Sequence, residues 1–107
     1  MCNCTLCHRY GGLWLYGHDG ETVRMTGETR AYVRTDEPEP AVEIRFCPTC
    51  GNLVGWRGLR VEDGRRRMAV NVRLAEPEAV ANLPVKHLDG RGEWTHELRG
   101  QVRDMWF

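Results

Sequence analysis

Short runs in which apolar and polar residues alternate, separated by turn-forming residues, dominate this chain. Val42, Ile44 and Phe46 alternate with Glu43 and Arg45. That period of two predicts a half-buried strand over residues 41–46. Residues 22–25, 30–34 and 53–57 have the β-branched and aromatic content of further strands. Asp63-Gly64 suits a tight hairpin, with residues 59–62 as one arm and 67–74 as the other. In the second arm Met68, Val70, Val72 and Leu74 alternate. Pro38 and Pro40 mark an exposed connection. One short helical turn is expected after Ala75, opened by Pro77 and stopped by Pro84. The last stretch, with Trp94, Trp106 and Phe107, adds one or two strands or wraps the core. The pattern reads as an all-β protein of short antiparallel strands with at most one short helical turn.

Composition narrows the class. The 107 residues fit a single domain. Hydrophobic content of 41% and charged content of 28% are those of a globular protein. Fifteen Lys+Arg balance fifteen Asp+Glu. Such a balance gives no general attraction to nucleic acid or anionic lipid, so neither is an expected partner. No apolar run approaches a membrane span, and no basic start leads into an apolar stretch. A cytoplasmic, reducing location is therefore expected. The basic run Arg65-Arg66-Arg67 follows the hairpin turn and reads as a solvated loop.

The cysteines change the picture most. There are five, an odd number, in two clusters. In a reducing compartment clustered thiols usually bind metal, and thiolates favour zinc. Cys47-Pro48-Thr49-Cys50-Gly51 has the form of a zinc knuckle: Pro48 sets the turn, and Gly51 allows a left-handed conformation that points amides at the sulfurs. A redox pair is the competing reading, but such pairs usually cap a helix, and none is expected after Gly51. Cys2, Cys4 and Cys7 form a three-thiolate cradle. Closed structural zinc sites have four protein ligands, whereas catalytic sites often have three. His8 or His18 can complete a site, although a histidine beside cysteines is more often a solvated surface residue. A metal staple also suits a core this small.

Taken together, the motifs carry a resemblance. They are Cys2-Asn-Cys4-Thr-Leu-Cys7-His8-Arg9, then Arg45-Phe46-Cys47-Pro-Thr-Cys50-Gly51-Asn52, then Val70-Asn71-Val72-Arg73-Leu74-Ala75-Glu76-Pro77, then Pro84-Val-Lys-His87-Leu-Asp89 and Trp94. In order and spacing this series resembles the glutathione-dependent formaldehyde-activating enzyme family, the zinc domain shared with centromere protein V, over nearly the whole chain. The resemblance implies a β-tent fold. It implies an open zinc site on Cys2, Cys4 and Cys7, regarded as catalytic. It also implies a structural zinc held by Cys47 and Cys50 with an upstream CxC pair. The activity it implies is the joining of glutathione and formaldehyde, which is carbon–sulfur lyase chemistry. Against the family pattern, the strand pair carrying the upstream CxC motif is missing from residues 1–107. Two explanations are open: the start is assigned too late, or the domain has rebuilt its metal binding, for instance as one four-thiolate site that uses two of Cys2, Cys4 and Cys7.

A zinc ion with an open position lowers the pKa of a thiol and makes a nucleophile for an aldehyde carbon. Arg9 and Arg45, each beside a cysteine cluster, can offset thiolate charge or hold a substrate carboxylate. Solvated surface is the plainer reading of both. His87 and Asp89 can carry a proton, and packing is the plainer reading there. The expected function is thus a zinc-dependent lyase acting on adducts of a small thiol with an aldehyde. The alternative is a zinc-stapled binding module without catalysis, which an exposed aromatic patch of Trp14, Tyr16 and Trp56 would favour.

Overall fold

The computed structural model describes residues 1–106, so the expectation for Phe107 lies outside the described residues. The chain divides into two compact units: Trp14–Asn71, and Met1–Leu13 together with the chain from Val72 onward. The first is built on β1 (Trp14–His18), β2 (Arg30–Val33), β3 (Val42–Phe46), β4 (Leu53–Glu62) and β5 (Arg65–Asn71). These form one antiparallel sheet in the order β1-β5-β4-β3-β2. The expected hairpin is present between β4 and β5. Asp63 and Gly64 both take positive φ, 52° and 73°, as a tight turn of this hand requires. β4 runs unbroken from Leu53 to Glu62 and so absorbs two of the expected segments.

Register explains the packing. Tyr16 and Trp56 both pair with Ala69, and Ile44 pairs with Trp56, which sets these side chains in a row on one face. There Ile44, Trp56 and Ala69 are buried. Arg57 pairs with Met68, and Met68 with Gly17, on the opposite face. Met68 is also buried. Both faces of β5 are therefore covered, which is why Met68 and its neighbour Ala69 are alike and the expected alternation fails. Residues 22–25 do not form a strand. The amides of Glu21, Thr22 and Val23 all approach the His18 carbonyl, and His18 N donates to Thr22 Oγ1 at 2.9 Å. The chain turns there, and Val23 makes a single bridge to Asp19 and is buried. This segment covers Gly17, where an added Cβ would lie 2.4 Å from Val23 Cγ2.

The other unit has α1 (Thr5–Tyr10), α2 (Pro77–Val80), β6 (Pro84–Leu88) and β7 (His96–Gln101), with 3-10 turns at Val72–Leu74 and Val102–Met105. α2 is the expected helical turn, with Pro77 in its first turn. The alternation through Leu74 ends early, because Val72 begins a 3-10 turn and Leu74 is exposed. β6 and β7 pair antiparallel, with His87 opposite Glu97. Leu13, Val72, Val80, Val85 and Val102 make the core, flanked by Met1 and Met105. Arg73 ties its ends together, donating to Gly11 O at 2.7 Å and to Met105 O at 2.9 Å. No helix among the described residues is long and apolar enough to cross a membrane.

Gly55 tests the packing of the five-stranded sheet. A Cβ there would lie 2.2 Å from the Ala69 carbonyl oxygen and 3.1 Å from Met25 Cε. A backbone oxygen in a paired strand cannot yield cheaply. Gly55→Ala is expected to cost about 1–3 kcal/mol as an overpacked site, read as a lower urea midpoint with an unchanged slope.

Candidate metal centre

The site begins with a strand pairing. Leu88 N donates to Met1 O at 2.9 Å, and Asn3 N donates to Leu88 O at 3.2 Å, so residues 1–3 lie parallel to β6. The chain then turns into α1. Cys4 is its N-cap, and the Cys4 thiol accepts from Cys7 N at 3.4 Å. A thiol stands here where Ser, Thr or Asp usually does. Gly11, at φ 63°, ends the helix and donates to Cys7 O. Strand, cap and helical turn together bring Cys2, Cys4 and Cys7 to one point. Their sulfurs all lie within 4.8 Å of one another, an arrangement that can hold a metal ion. No histidine or carboxylate among the described residues joins that group. His8 is exposed on α1, and His18 belongs to the other unit.

The three thiols are unequal. Cys2 is buried, and burial raises its pKa above the ordinary 9.0. At Cys4 burial acts the same way, but the bonds from the Cys7 amide, the Cys7 thiol and the Cys2 thiol outweigh it and lower its pKa. Cys4 therefore gives up its proton more readily than Cys2, because it accepts hydrogen bonds from its neighbours. Burial also lowers the pKa of the Met1 ammonium, which donates to Lys86 O at 2.8 Å. Soft sulfur donors, convergent geometry and an ionisable central thiol fit a thiophilic divalent ion.

Cys47 and Cys50 lie in the Trp14–Asn71 unit. The tight turn expected there is present: Gly51 has φ 74° and donates to Cys47 O, while Cys47 N donates to Asn52 O. Hydrogen bonds from the Cys50 and Thr49 amides lower the Cys47 pKa. Cys50 is exposed. No third histidine, cysteine or carboxylate of that unit joins the pair among the described residues.

The remaining expected residues fall in different places. Arg9 is exposed in the last turn of α1, on the helix that carries Cys7. Arg45 belongs to the other unit, where Glu43 pairs with it at 2.6 Å. His87 and Asp89 line a cavity of about 460 Å³ with Met1, Asn3, Thr95 and Arg99. His87 Nε2 lies 3.2 Å from the Arg99 carbonyl oxygen. A carbonyl only accepts, so Nε2 is the donor of this contact. Successive side chains of an extended segment point to opposite sides. Asn3 thus faces this cavity while Cys2 projects away from it. Trp14 and Trp56 are buried, so of the suggested aromatic patch only Tyr16 is exposed, edge-on to Trp56 with ring centroids 5.8 Å apart. The basic run is used internally: Arg65 pairs with Glu21, Arg66 donates to Gly58 O, and Arg67 stacks 5.9 Å from the Trp56 ring centre.

Sequence reasoning missed Asn3. Its Nδ2 donates to Asp89 Oδ1 at 2.8 Å, and its Oδ1 accepts from Arg91 N at 3.1 Å. Its position between Cys2 and Cys4 was the available signal. No family model, curated protein or solved structure matches the chain.

The Asn3 amide has a measurable electrostatic effect. Its hydrogen bond, with those from the Gly92 and Arg91 amides, holds the Asp89 pKa below the ordinary 3.8. A depressed carboxyl pKa adds stability that is complete above the unfolded value and disappears as pH falls through the folded one. Asn3→Ala is expected to return the Asp89 pKa toward 3.8, followed by NMR titration of the side-chain carboxyl, and to make acid unfolding less steep below that pH. An unchanged Asp89 titration in the variant would count against the bond.

Proposed function

We propose that Cys2, Cys4 and Cys7 hold a zinc ion and that the protein acts there on adducts of a small thiol, such as glutathione, with an aldehyde such as formaldehyde. The observation that carries this reading is the convergence of three sulfurs within 4.8 Å without a fourth side-chain ligand among the described residues. Three protein ligands are the usual complement of a zinc site that does chemistry. The family resemblance supports the substrate class. When bound, zinc supplies positive charge that stabilises anionic sulfur near neutral pH.

The chemistry is balanced simply. A thiol sulfur forms a bond to the aldehyde carbon, the carbonyl electron pair moves to oxygen, and that oxygen gains the proton the thiol gives up. The reverse step breaks the same carbon–sulfur bond. Cys4, whose thiol pKa is lowered by the hydrogen bonds it accepts, is the ligand more ready than Cys2 to give up its proton. Arg9, exposed on the helix that carries Cys7, is the cation that this reading assigns to a substrate carboxylate. His87 is a further candidate for binding a polar group of the substrate in the cavity it lines. Arg45, read from its place beside Cys47 as a second such cation, belongs to the other unit and is paired with Glu43. Cys47 and Cys50 contribute two ligands to a second zinc.

The second reading is a zinc-stapled module without catalysis. It is favoured by the burial of Cys2, whose sulfur the Gly90 backbone approaches so closely that a Cβ there would lie at 2.6 Å. Metal content and turnover separate the two. The lyase reading expects zinc bound by three sulfurs and a light ligand in X-ray absorption. It also expects glutathione and formaldehyde to combine faster than they do unaided. Cys7→Ser should weaken zinc retention by ~10-fold or more, since loss even of a supporting partner costs that much, and should abolish the excess rate. Zinc held by four sulfurs, with no rate above the spontaneous addition, would establish the module instead.

A further inference from the structure

The cysteine cluster is closed on one side by a loop that contributes no ligand. Residues 89–95 connect β6 to β7. Asp89 N donates to Thr95 O at 2.8 Å, and Trp94 N donates to Asp89 O at 3.0 Å. Trp94 takes φ 59°, a conformation costly for a bulky residue, and its ring is exposed. The loop is fastened to residue 3 at two points: Asn3 Nδ2 to Asp89 Oδ1, and Arg91 N to Asn3 Oδ1. Gly92 N donates to the same Asp89 oxygen at 3.2 Å. Between these fastenings sits Gly90, where a Cβ would lie 2.6 Å from Cys2 Sγ and 3.0 Å from Cys4 Cβ. Its φ lies outside the left-handed region, so the backbone there is one that alanine adopts. The demand for glycine at 90 comes from the crowding by Cys2 Sγ and Cys4 Cβ.

We infer that Gly90 and the Asn3–Asp89 latch are positioning residues of the metal centre. The latch presses the loop backbone against Cys2 and Cys4, fixes the Cys2 sulfur toward the other two, and closes that side of the cluster, leaving the half-buried Cys7 side for an incoming ligand. Asn3 reaches the sulfurs only through the loop: it stands between two ligands in sequence, points away from them, and holds the wall behind them. Supporting partners of this kind set the orientation of metal ligands. The inference rests on the reading of the cluster as a metal site.

The test is cobalt(II) titration of the full chain, with zinc affinity from chelator competition. Wild type is expected to give the intense near-ultraviolet sulfur-to-cobalt band of a three-thiolate site. Gly90→Ala should lose about one third of that band, as Cys2 is displaced, and bind zinc ~10–100-fold more weakly. Asn3→Ala should weaken zinc binding by ~10-fold with a smaller spectral change. Arg91→Ala should match wild type, because Arg91 takes part through its amide. Circular dichroism and thermal midpoints of the metal-free proteins control for folding, and Asn3→Ala serves if Gly90→Ala does not fold. Wild-type band and affinity in both Gly90→Ala and Asn3→Ala would overturn the inference. Absence of the band in wild type would overturn the zinc reading itself, and the inference with it.

Discussion

The candidate centre depends on the pairing of residues 1–3 with β6. Two backbone hydrogen bonds, both to Leu88, set this register. They place the start of the chain beside a strand more than eighty residues away, and with it the one sulfur of the cluster that no helix holds. Cys4 and Cys7 belong to α1 and its cap, and local geometry alone keeps them near each other. Cys2 does not. A shift of one residue in the pairing would turn Cys2 to the side of the Asp89 cavity and bring Asn3 toward the sulfurs. Such a slip is opposed from both sides. Met1 packs at the edge of the valine-rich core, and the Asn3 amide is engaged by Asp89 and Arg91.

The same strand serves two chemistries because its side chains alternate. On one side lie sulfurs in low-polarity surroundings, where burial discourages charge on Cys2. On the other lies a polar cavity with two carboxylates, two imidazoles and a guanidinium among its lining. His87 and Asp89 entered as proton carriers for the cysteine site, and the structure puts them on the side to which Asn3 points. Their influence on the sulfurs runs through backbone: Asp89 anchors the loop whose Gly90 touches Cys2 and Cys4.

What could be read from sequence followed how local each signal was. The Asp63-Gly64 hairpin, the strand at β3, the Pro77 turn and the tight turn at Cys47–Cys50 each rest on a few neighbouring residues and are present. The cysteine cluster was legible from the close spacing of its three thiols, although the helical cap at Cys4 and the strand pairing that places Cys2 were not. Misreadings occurred where tertiary cover decided the outcome. Residues 22–25 have strand-like composition, yet they have no partner strand to join, and the turn around His18 takes their amides. β5 is covered on both faces, so hydrophobic alternation along it could not survive. α1 gave no start signal because its cap is a thiol.

Asn3 shows the limit most clearly. An asparagine between two cysteines looks like a spacer, and nothing in its neighbours reveals a partner at Asp89. Its role appears only once the Leu88 pairing has fixed which way it faces. After that, each step constrains the next. Asn3 captures Asp89, Asp89 closes the turn back to Gly92, and the closed turn leaves no room for a side chain at position 90. The glycine is thus dictated by Cys2 and Cys4, and the Cys2 sulfur is held in place by the strand that also carries Asn3. A thiolate cluster on a loosely paired segment would lose its third ligand whenever that segment frayed. Fastening the loop to the residue between two of the ligands makes fraying of the strand and opening of the wall a single event, with the combined cost of both.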